Sequence, residues 1–413
     1  MATSHTSGGL NVLISGMGIA GPTLAWWLKR YGHTPVVVER APALRTGGYV
    51  IDFWGQGYDV AERMGLAPHL NEIGYHITDV RIEDSGRRRA GGFSAEVFSR
   101  ATNNRYVSLA RGDLSAALYG ALEDVETLWG TEIAALEEDE AGVAATFRAS
   151  AHGQSGDQAP APPEARRFDL AIGCDGLHSH VRELVFGPEN QFERFLGYKV
   201  AAFEATGYPL RDEDVYVSFS APGKQLARFS MRGDRTLFLF VFRETSPELP
   251  HGAAARAVLH REFGGLGWEC DDILARLTDD AELYFDRVSQ IEMPAFTKGR
   301  TALVGDAAGC PSLLAGEGSA MAMIGAYVLA GDLHRAGGDH ARAFAAYEAR
   351  MAPFIREKQD AARKFAASFA PRTRTGIQVR NFVTHFLGIP ALADLFLGGS
   401  LKDNLDLPDF EAG

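Results

Sequence analysis

Cysteine is scarce in this chain. Cys174, Cys270 and Cys310 are the only three in 413 residues, an odd number without metal-ligand spacing, so neither a disulfide framework nor a zinc site is expected and a reducing cytoplasm fits best. Long apolar runs are also missing: the most apolar helical stretch, 319–330, falls far short of the roughly 20 residues a membrane span requires. No HExxH pattern organises the twelve histidines, and His178 with His180 reads as a loop pair, so no metal is expected. Positive charge is in the minority, with a formal net charge of -12, which argues against a nucleic-acid surface or an anionic-membrane anchor. The opening MATSHTSGG lacks a charged-then-apolar signal pattern and reads as a frayed tail. There are no internal repeats, and the one low-complexity stretch, 149–163, reads as an exposed hairpin loop.

Glycine, by contrast, is abundant at 46 residues, and its placement is informative. The apolar run LNVLIS (10–15) leads directly into Gly16-Met17-Gly18-Ile19-Ala20-Gly21. Helical periodicity follows through Leu24, Trp27, Leu28 and Tyr31, then Gly32 as a stop, then a second strand ending at Glu39. This is a βαβ unit in which Gly16 permits a tight turn, Gly18 lets backbone approach a pyrophosphate, and Gly21 lets helix and strand pack closely. Glu39 stands about 20 residues on, where a carboxylate accepts hydrogen bonds from an adenosine ribose. Two further segments converge on the same chemistry: Cys174-Asp175-Gly176, and Gly305-Asp306 running into Gly316-Glu317-Gly318. Asp306 follows a strand and precedes a helix beginning near Gly318, where a carboxylate can accept ribityl hydroxyls and the helix dipole would face the flavin pyrimidine edge.

Residues 215–243 hold YVSFS, QLARFSM and TLFLFVFR separated by Pro222-Gly223 and Gly233-Asp234, the signature of antiparallel hairpins. Helical patterns cover 319–333 and 342–369, and a short apolar helix is expected at 382–396. The fold class expected is therefore α/β: a Rossmann-like FAD-binding domain (10–75, 105–175 and 286–350) interleaved with a β-sheet substrate domain (76–104 and 176–285), plus a C-terminal helical segment at 351–413.

These motifs, in this order from about Val12 to Leu333, resemble the single-component FAD-dependent aromatic hydroxylases of the p-hydroxybenzoate hydroxylase fold, with the flavour of the tetracycline-degrading and polyketide-tailoring monooxygenases. The resemblance implies that Gly16, Gly18, Ala20, Gly21, Glu39 and Arg40 serve the ADP part of FAD. It also implies that Arg45 with Gly47-Gly48 packs near the flavin, that Arg111 in LARGDL reaches the cofactor, and that Asp306 bonds the ribityl chain. DGLHSHVR, beginning at Asp175, fits a pattern associated with both FAD and NAD(P)H. The sequence departs from the family at Gly309, where histidine is usual, at Ser312-Leu313 in place of a Pro-Pro pair, and at Glu317 in place of glutamine. Glu317 is expected to point away from the flavin, bonded to backbone.

The implied function is hydroxylation of an aromatic or polycyclic phenolic small molecule with NAD(P)H and O2 through a flavin C4a-hydroperoxide, by a monomer or homodimer. The flavin carries the chemistry, so no catalytic side chain is assigned. Strand alternation places Leu226, Arg228 and Ser230 on one face; Arg228 is the favoured substrate anchor, with Met231 and Phe240 as walls, against the simpler reading that the aromatics are core. A reductase of the same superfamily and a flavin-bound, redox-silent cyclase or binding protein remain open. The GWxWxIP run of a flavin halogenase is absent, and a plain NAD dehydrogenase would not need the Asp175 and Asp306 motifs.

Overall fold

A computed structural model of the chain describes residues 9–44, 49–151, 165–386 and 405–411. Two large sheets organise it. The first is six-stranded, in the order Thr297–Lys298, Thr301–Leu303, Leu170–Gly173, Asn11–Ser15, Thr34–Glu39 and Glu126–Trp129. All of its pairings are parallel except the short edge strand Thr297–Lys298. Its central strands are apolar without alternation, as LAIG and VLI require when helices and loops cover both faces. Helices Ala20–Arg30 and Gly318–Arg335 pack together beside it, with Trp27 edge-on to Tyr327 at 4.7 Å between ring centroids.

The second sheet has seven strands, in the order Tyr284–Ile291, Glu193–Thr206, Arg235–Arg243, Lys224–Met231, Val215–Ala221, Asp79–Glu83 and Arg89–Ser94. The three hairpin-linked strands expected at 215–243 lie at its centre. The chain segment between the first two halves of the parallel sheet contributes Asp79–Glu83, which pairs parallel to Val215–Ala221. The long strand Glu193–Thr206 was not anticipated: Gly197 and two adjacent alanines dilute its strand signal, and the register shifts between Phe195 and Lys199. The strand Tyr284–Ile291 belongs to this sheet as well, carrying it past the boundary expected at 285.

The faces of this sheet differ. Leu226, Phe238, Phe240 and Phe242 pack with Leu259, Phe263 and Ile273 of helices Ala253–Phe263 and Cys270–Leu274. Phe229, Met231 and Leu237 pack on the other side with Tyr75 and Ala110, next to a two-stranded ribbon formed by Val50–Trp54 and Tyr106–Ala110. The cofactor segments and this ribbon thus face the same side of the sheet.

The helices expected at 319–333 and 342–369 are Gly318–Arg335 and His340–Phe369. The last described helix, Arg374–Phe386, starts earlier than the one expected at 382–396, whose remaining residues lie outside the described ones. Residues 405–411 return to the first domain. Tyr327 donates its hydroxyl to the Pro408 carbonyl at 2.8 Å, Arg335 lies 4.3 Å from the Phe410 ring centroid, and Phe410 is buried against Gly331. A Cβ on Gly331 would come within 2.1 Å of that ring. Phe410→Ala is expected to cost on the order of 3 kcal/mol in urea unfolding. Gly331→Ala should expel the same ring and expose residues 405–411 to limited proteolysis, as Phe410→Ala does.

Candidate active site

The site begins at the turn after the first strand. Gly16 has φ +106, a conformation that strains any side chain, and its N–H donates to the Val38 carbonyl at 2.7 Å. The crowding is severe: a Cβ on Gly21 would lie 1.8 Å from the Gly16 carbonyl oxygen, and one on Gly16 would lie 2.5 Å from that of Cys174. Gly18 is the open position, its one close neighbour among the described residues being the Arg111 guanidinium at 3.5 Å from a hypothetical Cβ. Glu39 reaches the turn and accepts the Met17 N–H, with the Ala41 N–H on its other oxygen, both at 2.8 Å. Ala20 opens the helix in buried surroundings, and Arg40 is exposed beyond the strand.

Opposite this turn, Gly305 at φ +66 delivers Asp306 to the start of the short helix Asp306–Gly309. Gly316 at φ +70 turns the chain so that Gly318 opens the helix Gly318–Arg335. A Cβ on Gly318 would lie 3.5 Å from the Asp306 carboxylate, so the helix N-terminus and that acid share one spot. Burial raises the pKa of Asp306, and the positive charge of Arg111 opposes the rise. Burial pushes the Tyr49 phenol up to about 12, again with Arg111 opposing. Arg111 therefore stands between the Gly18 turn and the Asp306 corner.

These residues fit FAD. The Gly18 backbone and the Arg111 cation suit a pyrophosphate, Glu39 and Asp306 offer acceptors for ribose and ribityl hydroxyls, and the Gly318 helix N-terminus suits an electron-rich ring edge. Arg45 and Gly48, expected beside the flavin, lie outside the described residues.

Beyond Asp306, the ribbon presents a polar group that sequence reasoning missed. Asp52 accepts the Tyr106 hydroxyl at 2.6 Å and the Ser108 hydroxyl at 2.5 Å on one oxygen, and its side chain is exposed. It lines a crevice with Trp54, Glu317, Phe354 and Lys358. The available signal was a charged residue in an otherwise apolar strand, VIDFW. Glu317, expected to point away from the flavin and to bond backbone, has the Lys358 ammonium as a described partner, with Nζ at 2.8 Å from its carboxylate.

Residues 9–362 match the FAD binding domain family. A flavin-dependent monooxygenase of Legionella longbeachae is 31% identical over 407 residues, spanning 98% of this chain and 99% of its own length. Another flavin-dependent monooxygenase, from an unknown prokaryotic organism, is 32% identical over 353 residues, 85% of this chain and 87% of its own. This chain belongs to the FAD-dependent monooxygenase family of aromatic hydroxylases. Among solved structures, the tetracycline destructase Tet(55) superposes with a TM-score of 0.80 at 29% identity, over 98% of this chain and 99% of its own. No described helix of this monooxygenase-family chain is long and apolar enough to cross a membrane.

Two of the expected contacts of this flavoprotein take different forms. The Asp175 carboxylate accepts the N–H groups of His180 and Val181 at 2.9 and 3.0 Å and the Ser179 hydroxyl. It is thus engaged by the helix His180–Val185, and it is the backbone of Cys174-Asp175 that touches the Gly16 turn. Arg228, expected as a substrate anchor, is 3% exposed and pairs with Glu269 at 2.7 Å and Asp212 at 2.7 Å. Arg228 and Phe240 lie on the helix-covered face of the sheet, since Arg228 sits opposite Phe238 in the register. Leu226, Arg228 and Ser230 share a face, as the alternation requires, and that face lies under the helices Ala253–Phe263 and Cys270–Leu274. Met231 does lie on the face toward the ribbon.

Arg228→Ala strands Glu269, 1% exposed, so the expected result is a loss of about 3–5 kcal/mol in denaturant unfolding, with flavin retained in the fraction that stays folded. His178 gives a pH signature. It lies between Glu189 and Asp286, at 3.0 and 3.4 Å, and hydrogen bonds first to Asp286 and then to Glu189 raise its pKa to about 9. Because the folded value exceeds the unfolded one of about 6.5, this stabilisation is complete below pH ~6.5 and disappears as pH rises through about 9. Melting temperature measured from pH 6 to 10 should fall across that window in the wild type, and His178→Gln should flatten that part of the profile.

Proposed function

We propose that the protein uses NAD(P)H and O2 to hydroxylate an aromatic or polycyclic phenolic small molecule, one oxygen atom entering the substrate and the other leaving as water. The observation that carries this reading is the convergence of the Gly18 turn, Arg111, Asp306 and the Gly318 helix N-terminus beside a sheet face rich in apolar side chains. FAD, when bound, supplies hydride acceptance and the activation of O2. The chain supplies placement and a dry wall. Phe229, Met231 and Leu237 form an apolar surface against Tyr75 and Ala110 that excludes water, and Tyr75 meets Phe229 edge-on at 5.1 Å.

Asp52 serves as the polar contact for a substrate hydroxyl. Tyr106 and Ser108 hold one of its oxygens, which orients the carboxylate for an incoming donor. The likeness to the tetracycline destructase Tet(55) supports a polycyclic rather than a small monocyclic substrate.

The test is an anaerobic titration with NADPH and NADH, following flavin absorbance with and without polycyclic phenols, then turnover under isotopically labelled O2. Flavin bleaching accelerated by one ligand, with label in the product, is the expected result. Reductant consumption with no label in any product would indicate a reductase, and a flavin that never bleaches would indicate a redox-silent protein. Asp52→Asn should weaken binding of the accelerating phenol by about tenfold, about 1.4 kcal/mol, while the protein still loads with FAD.

A further inference from the structure

Glu317, an acid at the start of the helix Gly318–Arg335, is answered by a residue far along the sequence. Glu317 is the residue immediately before the helix Gly318–Arg335, and its Oε2 lies 2.8 Å from the Lys358 ammonium. The Lys358 side chain is buried, at 7% exposure, and that of Glu317 is partly buried, at 15%. Lys358 belongs to the long helix His340–Phe369 and is held by rings as well as charge: its ammonium is 5.5 Å from the Phe354 ring centroid and 5.9 Å from that of Trp54. Trp54 comes from the same ribbon strand as Asp52, and all of these side chains line one crevice. The pair therefore ties together the helix start that adjoins Asp306, the ribbon and the long helix.

A carboxylate at this point has two opposed consequences. As an acid beside a helix N-terminus it is favoured by the dipole. As a second anion one residue before Gly318, which adjoins Asp306, it would oppose the addition of electrons to a flavin in the same corner. An ammonium at hydrogen-bond distance removes that second effect and fixes the backbone that follows.

We propose that Lys358 is a positioning residue for the flavin site: by pairing with Glu317 it anchors the Gly316–Gly318 turn and keeps the Glu317 charge from depressing the flavin reduction potential. The proposal rests on FAD occupying the cleft, not on the identity of the substrate or reductant. It assigns Lys358 no contact with substrate or flavin.

The experiment uses the FAD-loaded protein and compares wild type, Lys358→Met, Glu317→Gln and the double variant by two readouts: the FAD dissociation constant and the two-electron midpoint potential. Lys358→Met, which removes the positive member of the pair, should weaken FAD binding about tenfold and lower the potential, each tenfold loss in relative affinity for reduced flavin corresponding to about 30 mV. Glu317→Gln, which removes the negative member of the pair, should raise the potential, and the double variant should return close to the wild-type value. Opposite shifts that cancel are a charge signature that packing loss does not produce. Singles that shift the potential in the same direction, or not at all, would overturn the proposal. If Lys358→Met does not hold FAD, Lys358→Arg and the double variant decide: recovery in both supports the proposal, and failure of the double variant overturns it.

Discussion

The structure depends on how closely three backbone segments approach one another. Gly16, Gly21 and the Cys174 carbonyl meet at distances that leave no room for a Cβ, and this contact locks the first βα turn onto the strand Leu170–Gly173. Because the Gly305 corner lies against Ala20 and Ala322, the second glycine-rich segment is held to the first helix by the same close packing. Side chains that carry charge, Glu39, Arg111 and Asp306, are then distributed around a gap whose walls are main chain. Backbone N–H groups and a helix N-terminus there suit a phosphate-bearing ligand, with the Arg111 guanidinium beside Gly18.

The seven-stranded sheet divides its work between faces. Under the helices Ala253–Phe263 and Cys270–Leu274, aromatic residues close around the Arg228–Glu269 pair, which Tyr208 completes by donating its hydroxyl to Glu269 at 2.8 Å. That side is a core with a buried ionic network. The other face carries Phe229, Met231 and Leu237 and meets the ribbon that carries Asp52.

The βαβ unit was legible because its signals are local: a strand, glycines at fixed spacing, a helix and an acid all fall within residues 10–39. Asp306 and Gly318 were legible for the same reason. What could not be read were relations across the fold. Strand alternation correctly grouped Leu226, Arg228 and Ser230, yet only the positions of the helices at 253–274 decide which face is covered. Glu269 lies 41 residues from Arg228, and Lys358 a similar stretch beyond Glu317, so neither partner leaves a trace in local pattern. Asp175 follows the strand Leu170–Gly173, and its carboxylate is engaged by the start of a helix, a role that the DG motif does not distinguish from ligand contact. Asp52 offered a usable sign, a charge inside VIDFW, that goes unnoticed when only glycine motifs are followed.

The central claim is that the Gly16–Gly21 turn and Glu39 hold the adenosine diphosphate half of the cofactor while Asp306 and Gly318 hold the flavin half. The most direct measurement is a fluorescence titration of the apoprotein with FAD and, in parallel, with FMN. Tight binding of FAD with FMN at least about a hundredfold weaker, roughly 2.7 kcal/mol, is the expected result. Equal affinity for the two flavins would contradict it, because the glycine turn and Glu39 would then contribute nothing to holding the cofactor.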